Sequence, residues 1–310
     1  MTRFARAFVP AALLACALAL AAPTRAPACA CGCGVFEVGA PSAFPSAAGG
    51  MLSLEYDFMS QDQNWSGTSA APAGTNEDKL IRTQFVTAHV EWMATRAWGV
   101  AAEAPYWDRT FHTTADDGGP LGFDHGAFGD VRVSALYTGF SDDFSTGVSA
   151  GLKLPTGDDT YGGFDRDTEI GTGSTDALLG LWHLGALDAQ RRWTWFTSAQ
   201  GQLPLSSSGG YRPGDELDAA AGLAAPGSRA GSVTLTPRLA LLGTVRARDA
   251  GDAADPDNSG YRRLLASPGV DVRLPGLRAA FTADVPLLQS MNGHQLVAPV
   301  LFKFELGRAF

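Results

Sequence analysis

Beyond Cys33 the chain has no cysteine: the 4 it carries are Cys16, Cys29, Cys31 and Cys33. No disulfide can therefore brace the body that follows. Charge is scarce, at 18% of residues against ~25% in average domains. Its balance is acidic, net -9, which excludes a basic surface for gripping nucleic acid. After the first thirty residues no apolar run approaches the ~20 residues a membrane-spanning helix needs. Aromatic residues, at 10%, are too many for a disordered chain. Glycine is the abundant class, 37 of 310 residues, well above the usual ~7%. What remains is a soluble domain or a protein that meets lipid through strands.

Residues 1–28 read as a secretory signal, which predicts Sec-type export. Arg3 and Arg6 open it, an apolar run covers 8–22, and Ala26-Pro27-Ala28 supplies small residues for cleavage. Losing Arg3, Arg6 and Arg25 with it takes the formal charge from -9 to -12. A periplasmic tail over 29–49 follows, beginning Cys29-Ala30-Cys31-Gly32-Cys33. Three thiols this close can converge on a soft metal, Cu(I) or Zn(II), so Cys29, Cys31 and Cys33 are candidate ligands. Their spacing equally allows disulfide exchange with a periplasmic partner, lipidation of Cys29, or an inert tail.

From residue 50 onward the dominant pattern has period two. Leu52, Leu54, Tyr56 and Phe58 alternate with Ser53, Glu55 and Asp57; Phe302, Phe304 and Leu306 alternate with Lys303 and Glu305. Such alternation gives a strand one apolar and one polar face. About twelve strands are predicted, near 50–60, 80–94, 97–108, 127–140, 144–156, 175–186, 193–205, 215–225, 232–247, 261–274, 277–289 and 295–310. The connectors alternate strictly between long polar ones (61–79, 109–126, 157–174, 206–214, 248–260, 290–294) and brief ones. A soluble sandwich has no reason to keep that order. An outer-membrane barrel of even strand number does, with short periplasmic turns and long outer loops. The expected fold is an all-β, transmembrane, antiparallel up-and-down barrel over 50–310.

In such a barrel the polar faces line the lumen. Glu55, Asp57, Glu91, Glu103, Arg132, Lys153, Arg238, Arg273 and Lys303 are the candidate lumen residues, too many ionisable groups for a dry core. Acids crowd the early strands and bases the late ones, so opposite charges either face across the bore or pair beside the seam. Trp92, Trp98, Tyr106, Trp193 and Trp195 lie near strand ends, where an aromatic girdle belongs. The segment ending in Phe310 resembles the terminal insertion signal of bacterial barrels, which makes the barrel-assembly machinery an expected partner. Arg308 departs from that pattern.

The stretch Gly151-Leu152-Lys153-Leu154-Pro155-Thr156-Gly157-Asp158, followed by Ile170-Gly171-Thr172-Gly173-Ser174-Thr175-Asp176, resembles the outer-membrane family of phenol-degradation-pathway transporters. The resemblance implies a barrel that passes small, often aromatic, molecules. Physically, Pro155 can end a strand and the glycines permit a tight loop return. No Gly-Lys-Ser/Thr follows Gly173, so this is not a phosphate cradle.

The long loops are acidic and would draw cations to the mouth. Asp255-Pro256-Asp257-Asn258-Ser259-Gly260 resembles the start of a calcium loop, with Ala266 where a closing Glu belongs. Asp124-His125 is the one acid/base pair in a loop, but no nucleophile is marked and no enzyme is expected. The sequence therefore points to a channel for small solutes, aromatic or cationic, in the bacterial outer membrane. The alternative is a non-conducting barrel whose Cys cluster binds a soft metal or a periplasmic redox partner.

Overall fold

The computed structural model describes residues 48–115 and 117–310. The signal, most of the tail and Cys29, Cys31 and Cys33 lie outside them. Sixteen strands form a single sheet: β1 (Gly49–Gln61), β2 (Gln63–Gly67), β3 (Ser69–Ala70), β4 (Leu80–Met93), β5 (Trp98–Thr114), β6 (Pro120–Phe128), β7 (Arg132–Tyr137), β8 (Thr146–Lys153), β9 (Asp176–Ala186), β10 (Thr194–Pro204), β11 (Glu216–Ala224), β12 (Ser228–Ala230), β13 (Val233–Arg246), β14 (Tyr261–Leu274), β15 (Leu277–Val297) and β16 (Leu301–Ala309). Twelve antiparallel positions close into a barrel, with β6 and β7 as two halves of one position along β5. The seam is β1 on β16, from Met51↔Ala309 to Met59↔Leu301. Beyond it, the amide of Phe310 donates to the Gly50 carbonyl at 2.9 Å and the Gly50 amide donates back at 2.9 Å. Closure leaves the twelve-position ring without an open edge, as a membrane demands, and the free edges of β3, β6 and β12 belong to the ends outside it.

Parity sorts the side chains. Leu52, Leu54, Val86, Val90, Val100, Leu179, Leu181, Leu239, Leu241, Phe281 and Phe304 are exposed on the outside. This is a lipid-facing belt on a closed barrel. Trp92, Trp98 and Trp193 are exposed at the ends that carry the short turns, with Trp98 against Tyr137 at 4.6 Å between centroids. Long connectors leave from the opposite end, which is assigned as the outer mouth.

Several boundaries differ from the sequence reading. The connector expected over 61–79 carries β2 and β3, and the turn expected over 226–231 carries β12. The loop expected over 109–126 is mostly a hairpin, because β5 continues to Thr114 and β6 starts at Pro120. Above the membrane the outer face no longer needs apolar residues, so alternation fades while pairing goes on. The strand expected over 127–140 breaks between Phe128 and Arg132, where the Asp130 carboxylate turns inward. Near 290–294 the chain does not leave the sheet: past Met291 it swings at Gly293 (φ 53°) from β14 onto β2.

Candidate functional site

The lumen holds three storeys. At the periplasmic end an apolar wall runs from Met93, Leu136 and Trp182 to Phe196, Ala240, Leu242 and Leu265. Glycines make room for its rings. A Cβ on Gly147 would come within 2.1 Å of the Trp182 ring, and one on Gly222 within 2.1 Å of Phe196.

Charges fill the facing wall, and most are paired. Lys303 Nζ lies 3.3 Å from Glu55 and 3.8 Å from Asp57 across the seam; Arg278 is 3.4 Å from Glu305, Arg238 is 3.4 Å from Asp271, and His89 is 3.7 Å from Glu103. Opposite charges thus pair beside the seam. Glu91 shares the lumen wall with them, Arg132 Nη2 donates to Gln202 Oε1 at 3.2 Å, and Arg273 sits exposed at the base of β14.

The middle storey is built by both halves of the 151–176 motif. Lys153, ending β8, is 2% exposed; its ammonium is 2.8 Å from Asp176 and 3.3 Å from Asp130 and donates to Thr172 Oγ1 and Ser174 Oγ. Asp130 in turn accepts from the Gly157 amide, the Thr172 amide and the Thr172 hydroxyl. Asp176 accepts from Ser174 Oγ and Gln202 Nε2, both at 2.6 Å. Charges this far from water require such full coordination. The effect is to draw the 154–175 connector inward. Gly171 crosses Gly157 so closely that a Cβ there would meet the Gly157 carbonyl carbon at 2.4 Å, and its amide donates to the Asp158 carbonyl at 2.6 Å.

The upper storey is the tip of that connector. Phe164 and Ile170 pack with Ile81, Phe111 and Leu296 into a buried cluster, and Phe111 meets Phe164 edge-on at 5.9 Å. Arg109, fully buried on β5, donates to the carbonyls of Thr168 and Glu169 and to Thr83 Oγ1. The connector is therefore an internal lid across the outer half of the bore. Burial pushes Asp167 up to about 7, Glu169 up to about 7, and neighbouring Asp78 up to about 6.

The acid/base pair Asp124-His125 does not form. Asp124 is exposed and accepts from Thr110 Oγ1, whereas His125 meets Asp158 of the lid at 2.8 Å and stacks on Tyr161 at 4.0 Å. That hydrogen bond holds the Asp158 carboxyl below its usual range. In the candidate calcium loop, Asp255 accepts from the amides of Asp257 and Asn258 and from Asn258 Nδ2. Among the described residues no group of three or more His, Cys, Asp or Glu gathers as a metal site.

Among solved structures, the chain superposes on the COG4313 outer membrane channel from Pseudomonas putida F1 with a TM-score of 0.65. That match covers 88% of this chain and 100% of the other at 13% identity. The fold is that of an outer-membrane β-barrel. The beta domain of the Bordetella autotransporter BrkA matches at TM-score 0.49 (13% identity, 85% and 100% coverage), and a Pseudomonas aeruginosa FadL homologue at 0.42 (11%, 90% and 96%). No protein-family profile matches the chain, and no curated protein does.

Strand parity alone places Lys153 on the lumen side but does not reveal the lid that it holds with Asp130. One signal was available: Phe164 and Ile170 are apolar residues stranded in an otherwise polar loop.

Proposed function

We propose that the protein is a gated outer-membrane channel for small solutes. The observation that carries this reading is the lid: a connector folded into the lumen and held by a buried ion-pair network, above a charged chamber open to solute chemistry. A barrel serving only as an anchor has no need of a wet, structured bore. The Pseudomonas putida protein of the same fold is an outer membrane channel, an analogy in line with this reading, which rests on the lid and the bore. In this form the lid occupies the outer half of the bore, and its displacement would widen the path.

Liposome swelling with neutral sugars of increasing size tests the reading, using the full chain and the variant Lys153→Met. Swelling that rises in the variant supports a gated channel. Liposomes that stay silent with both proteins overturn it, and favour the non-conducting barrel whose Cys29, Cys31 and Cys33 bind a soft metal or redox partner.

A further inference from the structure

The periplasmic chamber encloses a cavity of ≈ 200 Å³, room for on the order of seven waters at ~30 Å³ each. Its charges do not balance. Glu305 is matched by Arg278, Glu103 by His89, and Asp271 by Arg238. After those pairs, Glu55, Asp57 and Asp284 gather around the ammonium of Lys303, and Arg238 and Arg278, each already paired, are the other cations near Asp284 and Glu91; the acids outnumber the bases.

Asp284 lines the cavity and is 1% exposed; the Ser267 hydroxyl is its one neighbouring donor, too remote for a well-formed hydrogen bond to either carboxylate oxygen. Asp57, one strand beyond Lys303 at the seam, is 1% exposed and equally unsatisfied on both oxygens. A buried carboxylate short of donors is unfavourable, so this arrangement calls for an N–H-bearing cation. Opposite the acids the wall is apolar, with Trp182, Leu136 and Leu242 facing the same cavity. One charged side and one greasy side describe an amphipathic occupant.

We propose that this chamber is a binding site for a small organic cation, a primary ammonium on one aromatic ring or a short alkyl body. Asp284 and Glu55, which line it, supply its counter-charge, with Asp57 behind them at the seam, and Trp182, Leu136 and Leu242 receive its apolar part. The proposal rests on the channel reading in one respect, since it names the solute class that reading leaves open.

The test is isothermal titration calorimetry on the full chain in detergent micelles, with benzylammonium, benzyl alcohol and benzoate as probes of one shape and three charges. Benzylammonium is expected to bind at least tenfold more tightly than benzyl alcohol, and benzoate not at all. Asp284→Asn should weaken benzylammonium binding at least tenfold and leave benzyl alcohol unchanged. Equal affinity for amine and alcohol, preference for benzoate, or no heat with any probe overturns the proposal. If Asp284→Asn loses the heat-modifiable gel mobility of a folded barrel, the three-probe comparison on the unaltered protein decides alone. Binding of the amine with no swelling in liposomes would sink the channel reading and leave the site standing; sugar uptake without amine preference would do the reverse.

Discussion

Replacing Lys153 by methionine removes the ammonium on which the lid depends and keeps the length of the side chain. Asp130 and Asp176 retain their hydrogen bonds from Thr172, Gly157, Ser174 and Gln202 but lose their counter-charge. Removing one partner of a buried ion pair costs about 3–5 kcal/mol, because a charge is left uncompensated. The carboxylates can regain water only if the segment sealing them lifts, and that segment, Thr172 to Ser174, belongs to the lid. The penalty therefore falls on the lid's docking rather than on the twelve-stranded wall. At ~1.4 kcal/mol per tenfold change, the closed-to-open ratio should fall by between about a hundredfold and a few thousandfold. Single-channel recording in planar bilayers reads this as longer openings, and limited proteolysis reads it as cleavage within 157–174. Adding Asp176→Asn should recover part of the loss, since the pair couples directly at 2.8 Å. A folded Lys153→Met barrel with unchanged open probability and unchanged cleavage would refute the reasoning.

Gating should also follow pH. Burial raises Asp167 and Glu169 to about 7 in the docked lid, so the docked state holds protons that the released lid gives up. Docking is then strongest in acid, weakens as pH climbs from about 4 towards 7, and levels off above. Open probability measured from pH 5 to 8 should rise, and Asp167→Asn with Glu169→Gln should flatten the curve. Gly171→Ala forces a Cβ into the Gly157 carbonyl and should weaken docking by about 1–3 kcal/mol, read as faster proteolysis of the lid with normal barrel mobility on gels. Phe164→Ala takes a ring from the upper cluster at a cost of about 3–5 kcal/mol, and should open the channel without altering the pH response.

Strand rhythm was legible because lipid outside and water inside impose one period on every membrane-crossing segment. Leu52 to Phe58 and Phe302 to Leu306 read correctly for that reason, as did the seam that brings Lys303 beside Asp57. Even β9 and β11, weakly alternating and rich in small residues, obey it. Legibility failed above the membrane, where β5 and β6 pair without an apolar outer face and turn Phe111 and Phe123 inward instead, and at the lid. The lid's partners are remote in sequence: Asp130 lies 42 residues from Thr172, and Arg109 lies 59 residues from Thr168. No local pattern encodes such contacts. Parity could have separated Asp124 from His125, since neighbours on a strand face opposite ways. It could not have supplied Asp158 as the partner.

Two kinds of lock coexist in this lumen, and their energetics differ. The seam and the other strand pairs form a continuous hydrogen-bonded ring, and opening it in lipid would expose backbone groups with no alternative partner. The lid is joined to that ring through a handful of side chains: Lys153, Asp130, Arg109 and the ring cluster around Phe164. Each is buried while the lid is docked and can exchange its contact for water only as the lid lifts towards the outer mouth. A few kcal/mol per contact, partly conditional on protonation, is the range in which a local element moves while the scaffold stays fixed. The chamber below has a different status. Its unsatisfied Asp57 and Asp284 lie on the wall itself, within strands that cannot yield, so relief must come from what enters. On the function proposed above, a lid that can move above acids that cannot divides the work: the wall holds a cation in the chamber, and the lid controls its passage.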